Sequence, residues 1–522
     1  MPDVDRNPGL PLISRAALHA DRTAIFDGWG EHSFDELLAA SGRVAAWLLA
    51  GGADLGEARV AFAAPPGLPY VAALWGIWRA GGVAVPLCLT HPAAEHARVL
   101  DDASPTAILA DRDQADTLHP LAEARGIRFG EVADLRGSGP ADGCDLPVVD
   151  PSRRGMVLYT SGTTSRPKGV VLTHANLAAQ IVSLVQAWEW TGEDRILHVL
   201  PLHHTHGIVN ALLCPLWAGA ACEMQPGFDA AAAWRRFAAG GITIFTAVPT
   251  VYVRLIAAWE EAAPDEQARM SRAAGTLRVM ISGSAALPVP VFERWKEISG
   301  EPLLERYGMT EIGMALSNPL RGERRPGAVG MPLPGVSVRL VDDGGAKIEE
   351  EGTRGELRVR GAGVFREYWN RPAETEAAFV DGWFKTGDQA EIQGGTFRIL
   401  GRTSVDILKT GGYKVSALEI EEALRGHPSI AECAVIGTPD PEWGERVCAA
   451  VVPAAAGGLI SLEDLRGWAR ERLAPYKIPT RLLIVTDLPR NEMGKVAKPE
   501  VKRLFQEPAT LRMESNSHQE AS

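Results

Sequence analysis

The densest chemistry in the chain lies at 158–174, Leu158-Tyr-Thr-Ser-Gly-Thr-Thr-Ser-Arg-Pro-Lys168-Gly-Val-Val-Leu-Thr-His174, between two apolar runs of strand character. Thr160, Ser161, Thr163 and Thr164 offer hydroxyl donors, Gly162 lets the backbone approach an anion closely, and Lys168 supplies positive charge. Such a loop can cradle phosphate. It lacks the Gly-Lys-Ser/Thr that opens a helix in a Walker A loop, which disfavours P-loop nucleotide hydrolysis. Composition alone leaves an ordinary Ser/Thr-rich surface turn as the alternative.

Further groups follow along the chain. Thr310-Glu311 joins a hydroxyl to a carboxylate, the hard oxygen donors that Mg²⁺ takes. Tyr307-Gly308 pairs an aromatic face able to stack a purine with a residue that leaves the backbone room to turn. Asp388, after Thr386-Gly387, can accept both hydroxyls of a ribose or simply stabilise its own turn. Lys495 ends the glycine-bearing loop Asn491-Glu-Met-Gly-Lys495, where a preplaced cation can meet charge developing on a carboxylate and a phosphate. Each has a plain alternative: a solvated carboxylate, a core tyrosine, an exposed lysine.

Together these segments resemble the signature of the adenylate-forming superfamily of acyl-CoA synthetases, peptide-synthetase adenylation domains and luciferases. The motifs stand in the order expected of that family. After the phosphate loop come Leu200-Pro-Leu-His-His-Thr-His206-Gly, Ile281-Ser-Gly-Ser-Ala-Ala-Leu-Pro288, Glu305-Arg-Tyr-Gly-Met-Thr-Glu311, Gly382-Trp-Phe-Lys-Thr-Gly-Asp388, Gly401-Arg402, Gly411-Gly-Tyr413 and Pro489-Arg-Asn-Glu-Met-Gly-Lys495. The resemblance implies ATP, Mg²⁺ and coenzyme A as reactants. It implies an ATP site of Ser161, Gly162, Thr163, Thr164, Lys168, Gly283, Ser284, Ala285, Glu305, Tyr307, Gly308, Met309, Thr310, Asp388 and Arg402, with Glu311 and Thr163 toward the metal. Lys495, Glu311, Thr160 and His204 take the catalytic positions, and Gly411, Gly412, Tyr413, Trp443 and Gly444 those at the CoA tunnel. In the family a small domain rotates after adenylation. This chain has one residue more than the common pattern between Gly401-Arg402 and Gly411-Gly412, which leaves the pivot open between Thr403 and Asp406.

The acid being activated is read from locally unusual residues. His203-His204-Thr205-His206 has no acidic or Cys ligand at standard helical spacing, so zinc is disfavoured, and His204 and His206 are placed at the acyl carboxylate, with structural hydrogen bonding as the alternative. Arg306, after the apolar Leu303-Leu304, is costly in an acyl pocket unless a negative ligand pairs with it. A guanidinium matches a carboxylate bidentately, so a second carboxylate on the substrate fits; a salt bridge to Glu305 is the alternative. Ser282 joins this substrate-carboxylate group. The phrases around Ser282, Arg306 and Gly401 resemble malonyl-CoA and methylmalonyl-CoA synthetases. The expected partner is a small dicarboxylic acid. A CoA ligase for another short or aryl acid is the runner-up, and a non-catalytic nucleotide-binding regulator a remote third.

Composition and patterning set the frame that must hold these groups. The chain of 522 residues, 46% hydrophobic and 23% charged, has material for several domains at about 150 residues each. A net charge of −12 disfavours nucleic acid and anionic membrane as partners. The six cysteines form no CxxC pair, and no apolar run reaches the roughly 18–20 residues that span a bilayer. With no secretory or mitochondrial address in the opening residues, a cytoplasmic location of bacterial type is expected, as monomer or homodimer.

Alanine-rich helical segments alternate with short β-branched runs up to about residue 329, which predicts βα units around largely parallel sheets. Gly-rich, antiparallel-type strands follow, and 391–406 is the boundary region. The expected fold is α/β: a large N-terminal adenylation domain at 1–401 made of α/β subdomains and a β-rich subdomain, a hinge at 402–406, a small mobile α+β domain at 407–505, and a disordered tail at 506–522.

Overall fold

The computed structural model describes residues 9–133, 145–160, 168–454, 460–491 and 494–506. The 506–522 tail, but for Gln506, lies outside the described residues. Among the described residues no helix is long and apolar enough to cross a membrane.

Four sheets organise the chain. A seven-stranded sheet runs in the order Glu367–Tyr368, Lys168–Thr173, Arg154–Thr160, Val83–Pro86, Arg59–Ala63, Ala107–Ala110, Arg128–Glu131. From Arg154–Thr160 to Arg128–Glu131 the strands are parallel, as the βα alternation requires, while Lys168–Thr173 and Glu367–Tyr368 add antiparallel; Val83–Pro86 and Ala107–Ala110 are buried throughout, the pattern of strands covered on both faces. A nine-stranded sheet carries Met331–Pro332, Gly313–Ser317, Leu304–Met309, Val279–Ser282, Ile244–Ala247, Arg195–His198, Ala221–Met224, Thr23–Asp27 and Gly30–Ser33. The connecting helices have ordinary local causes. Phe34–Leu49, for example, opens on a capping box in which Ser33 and Glu36 satisfy each other's backbone N–H groups.

Antiparallel pairing starts earlier than the pattern suggested. Leu304–Met309 is parallel to Val279–Ser282 on one side and antiparallel to Gly313–Ser317 on the other, through a tight turn with Gly313 at φ +62°. Gly308 is required there, because a Cβ would fall 2.1 Å from the Gly313 carbonyl oxygen. A six-stranded antiparallel sheet follows, centred on Val336–Val341, Gly355–Gly361 and Trp383–Gln393, with Thr396–Arg402 paired to the last. The expected boundary therefore begins too early at 391. Gly394 and Gly395, both at positive φ, fold that stretch into a hairpin of the same sheet, and only 403–406 separate Arg402 from the strand Ile407–Thr410 of the last sheet.

The last sheet combines Tyr413–Ser416, Ile407–Thr410, Gly444–Pro453 and Ile430–Asp440, with Arg481–Ile484 paired in parallel to Gly444–Pro453. The helix Ala417–Arg425 packs on it through Ile420 and Leu424.

Candidate active site

A cavity of about 840 Å³ opens where strand ends of the three larger sheets meet the small C-terminal sheet and its helix Ala417–Arg425. Most residues singled out from sequence line it: Thr160, Lys168, His204, His206, Ser284, Ala285, Glu305, Arg306, Tyr307, Gly308, Met309, Thr310, Glu311, Asp388, Arg402 and Lys495.

At one end the strands Arg154–Thr160 and Lys168–Thr173 pair antiparallel with Thr160 opposite Lys168. Ser161, Gly162, Thr163 and Thr164 lie outside the described residues. Lys168 Nζ sits 2.5 Å from Glu374 Oε2 and 5.3 Å from the centre of the Tyr368 ring. Glu311 is buried at this end, and its Oε1 accepts a hydrogen bond from Tyr368 Oη at 3.0 Å. Burial raises the Glu311 carboxyl pKa, so its charged form is held in the cavity at a cost that a cation would offset.

The middle of the cavity joins two sheets through Asp388. Tyr307 Oη donates to Asp388 Oδ2 at 2.5 Å, and Arg402 Nε donates to Oδ1 at 3.0 Å. Burial, then the Asp388 charge and hydrogen bond, raise the Tyr307 phenol pKa and keep it a donor. Glu305 is buried beside this group, accepts from the Leu287 N–H at 3.2 Å, and is pushed by burial up to about 8, which leaves it protonated at neutral pH.

The opposite end holds Arg306, which is 2% exposed. Its Nη1 and Nη2 both reach Ser284 Oγ at 3.4 Å, its Nε has no partner, and no ion pair joins it to a carboxylate among the described residues. The expected alternative of a salt bridge to Glu305 is therefore absent. Burial pulls the guanidinium down to about 9, still protonated at pH 7. Ser284 adopts φ +71°, a strained conformation for a serine, and shares a hydrogen bond with His206 Nδ1 at 3.1 Å. His206 Nε2 is 2.7 Å from Thr246 Oγ1. Burial, then Arg306, lowers His206 well below its ordinary range; burial, then His203 and Lys495, lowers His204 to about 2. Both imidazoles are neutral at pH 7. Lys495 enters from the C-terminal domain, its N–H fixed by Asn491 Oδ1 at 3.0 Å; burial, then Arg306 and Arg402, lowers its ammonium to about 8.

Some sequence-singled residues stand apart. Ser282 is fully buried in Val279–Ser282, its Oγ without a partner, and does not line the cavity. Gly283 contributes space rather than contact, since a Cβ there would fall 2.6 Å from the Arg306 guanidinium carbon. Gly411, Gly412, Tyr413, Trp443 and Gly444 form a separate face of the C-terminal sheet: Gly411 N–H donates to the Trp443 carbonyl at 2.9 Å, and Tyr413 stacks on Tyr476 at 4.1 Å. Among the described residues no group of three or more His, Cys, Asp or Glu is arranged to hold a metal ion. Sequence reasoning missed Tyr368, Thr246 and Thr205. For Tyr368 the signal was present in Glu367-Tyr-Trp-Asn370, an aromatic pair with no periodic reason to be there.

A family model described as AMP-binding enzyme matches residues 12–369, and one described as AMP-binding enzyme C-terminal domain matches 419–495. The chain belongs to the AMP-binding enzyme family. A mitochondrial malonate–CoA ligase of Xenopus laevis is 47% identical over 94% of this chain and 91% of its own length. The crystal structure of ATP-bound MatB from Rhodopseudomonas palustris superposes with a TM-score of 0.87 at 34% identity, covering 95% of this chain and 99% of that one. A malonyl-CoA ligase ternary product complex with methylmalonyl-CoA and AMP gives 0.68 at 38% identity, covering 92% and 100%.

Proposed function

We propose that this chain is an ATP-dependent, AMP-forming malonyl-CoA synthetase that also takes methylmalonate. One observation carries the choice of acid: the buried Arg306 guanidinium faces the cavity with, among the described residues, only the neutral Ser284 hydroxyl as hydrogen-bond partner. A buried cation without a carboxylate is costly, and a substrate bearing a second carboxylate supplies what is missing. Ser284 and His206, neutral and fixed by Thr246, flank that anion site without adding charge.

In the first step a carboxylate oxygen of the acid attacks the α-phosphorus of ATP; the bond to pyrophosphate breaks and the acyl-adenylate forms. Lys495 faces the region where negative charge accumulates in that step, and Lys168 that of the departing pyrophosphate. Tyr307 presents a face for the adenine, while Asp388 and Arg402 hold the ribose end. Glu311, a buried hard-oxygen donor whose charged form lacks a cation, fits Mg²⁺, which when bound neutralises the triphosphate.

In the second step the CoA thiolate attacks the acyl carbon and AMP leaves. The Gly411–Tyr413 face, now outside the cavity, would be brought in by rotation about 403–406. Support comes from the superpositions, which are better for an ATP-bound relative than for a product complex of higher sequence identity.

Thioester formation with ATP and Mg²⁺ across malonate, methylmalonate, succinate, acetate, propionate and octanoate tests this, with Arg306→Ala as the paired variant. The reading expects the C3 dicarboxylates to win and the variant to lose them selectively. A winning monocarboxylate with a neutral mutation would leave an acyl-CoA ligase for another acid.

A further inference from the structure

Tyr368 touches two of the charged groups at the phosphate end, and no motif reading assigns it a role. Its strand, Glu367–Tyr368, pairs antiparallel with Lys168–Thr173, placing Tyr368 opposite Val170 and beside the base of the phosphate loop. The side chain reaches the cavity, where its hydroxyl donates to Glu311 Oε1 at 3.0 Å and its ring face lies 5.3 Å beneath Lys168 Nζ. Phe365 packs against the ring with centroids 4.7 Å apart, and the Tyr368 N–H donates to Thr375 Oγ1 at 2.9 Å, so neither ring nor backbone is free to turn.

We infer that Tyr368 is a positioning residue that holds the metal-facing carboxylate of Glu311 and the phosphate-facing ammonium of Lys168 in register with each other. The physical case is geometric. A carboxylate that must meet a metal ion gains from having one oxygen anchored by a neutral donor, because the other oxygen's direction is then set before the ligand arrives. Lys168 is paired with Glu374 at 2.5 Å, and the ring face below it helps hold the ammonium at that place without adding a second negative charge. One side chain does both. This rests on the ATP-dependent reading above and on Glu311 as the metal-facing group.

Calorimetric titration of the full-length enzyme with Mg·ATP, and with ATP in the presence of EDTA, tests it with the acid omitted so that no reaction follows. Tyr368→Phe deletes only the hydroxyl and keeps the ring. It is expected to weaken Mg·ATP binding about tenfold, the scale of a hydrogen bond to a charged group, while metal-free ATP binding stays within about twofold. Tyr368→Leu also removes the ring face and is expected to weaken both forms; if it fails to fold, the Phe variant alone decides. Unchanged Mg·ATP binding by Tyr368→Phe overturns the inference, as does an equal loss of both forms. Equal binding of the two forms by the parent enzyme overturns it too but leaves the ligase reading intact, whereas a parent that binds neither overturns both.

Discussion

Glu305 and Arg306 are sequence neighbours in one buried strand, yet they form no ion pair with each other. Alternation along the strand sends them to opposite faces, Glu305 to the Leu287 amide and Arg306 to Ser284. Burial then acts on each in the sense that reduces its charge: Glu305 is neutral at pH 7 and Arg306 only moves closer to its titration range. Glu305 therefore does not offset the Arg306 charge. Arg306→Ala should therefore lower kcat/KM for malonate by about 100-fold or more, the scale for removing one partner of a buried charged pair, and change that for propionate less than about threefold. Competition between the two acids measures the ratio directly, and an unchanged ratio would sink the argument.

The glycine before Ser284 makes a second, independent test of the same anion site. A Cβ at 283 would lie 2.6 Å from the guanidinium carbon, so Gly283→Ala must push Arg306 off Ser284. KM for malonate is expected to rise about tenfold with KM for ATP unchanged, because overpacking here moves one side chain rather than the strand. Steady-state kinetics with each substrate varied in turn separates the two constants. A rise confined to ATP would show that Gly283 serves the nucleotide instead.

Lys495 is held near 8 by burial and by the cations Arg306 and Arg402. It is protonated below that value and loses its proton above it. Adenylation needs the cation, so kcat/KM for acid-dependent pyrophosphate exchange should fall as pH rises through about 8. Glu305 titrates in the same region but in a different role, and Glu305→Gln should leave the limb in place. Lys495→Arg, slow but permanently charged, should lack it. A limb that survives in Lys495→Arg assigns the titration to another group.

Much of this site was legible in sequence because its chemistry depends on local residue order. Glu305, Arg306, Tyr307 and Glu311 fall within one hairpin, and Thr160 and Lys168 within another, so spacing along the chain fixed spacing in space. What was not legible depends on pairing between distant strands. Tyr368 reaches Glu311 only because Glu367–Tyr368 adds as an edge strand to Lys168–Thr173, some two hundred residues earlier. Thr246 meets His206 because Ile244–Ala247 lies next to Arg195–His198 in the nine-stranded sheet. The early start of the boundary region, at 391, had a local cause: Gly394-Gly395 reads equally well as a linker or as a hairpin turn until the flanking strands are seen to pair.

Acid stability follows from the histidines. His174, His198, His204 and His206 are all lowered by burial, to about 3, about 4, about 2 and well below the ordinary range respectively. Below about pH 6.5 the unfolded chain takes up a proton at each of these positions and the folded chain does not, so each opposes folding by up to about 1.4 kcal/mol per pH unit. Glu305 works the other way: its folded pKa, raised to about 8, favours the folded state as pH falls toward its ordinary value. Glu311, also raised by burial, works in the same sense as Glu305, and the four histidines outnumber the two carboxyls, leaving a net loss with acid. The carboxylates held low by arginine partners, Asp54 beside Arg153 and Asp194 beside Arg278, add their loss only as pH falls below about 4. The urea midpoint should therefore decline between pH 6.5 and 5, before the carboxylates titrate. A midpoint flat across that window would mean that the imidazoles find water or counter-charges in the folded chain, and that the acyl end of the cavity is wetter than its burial implies.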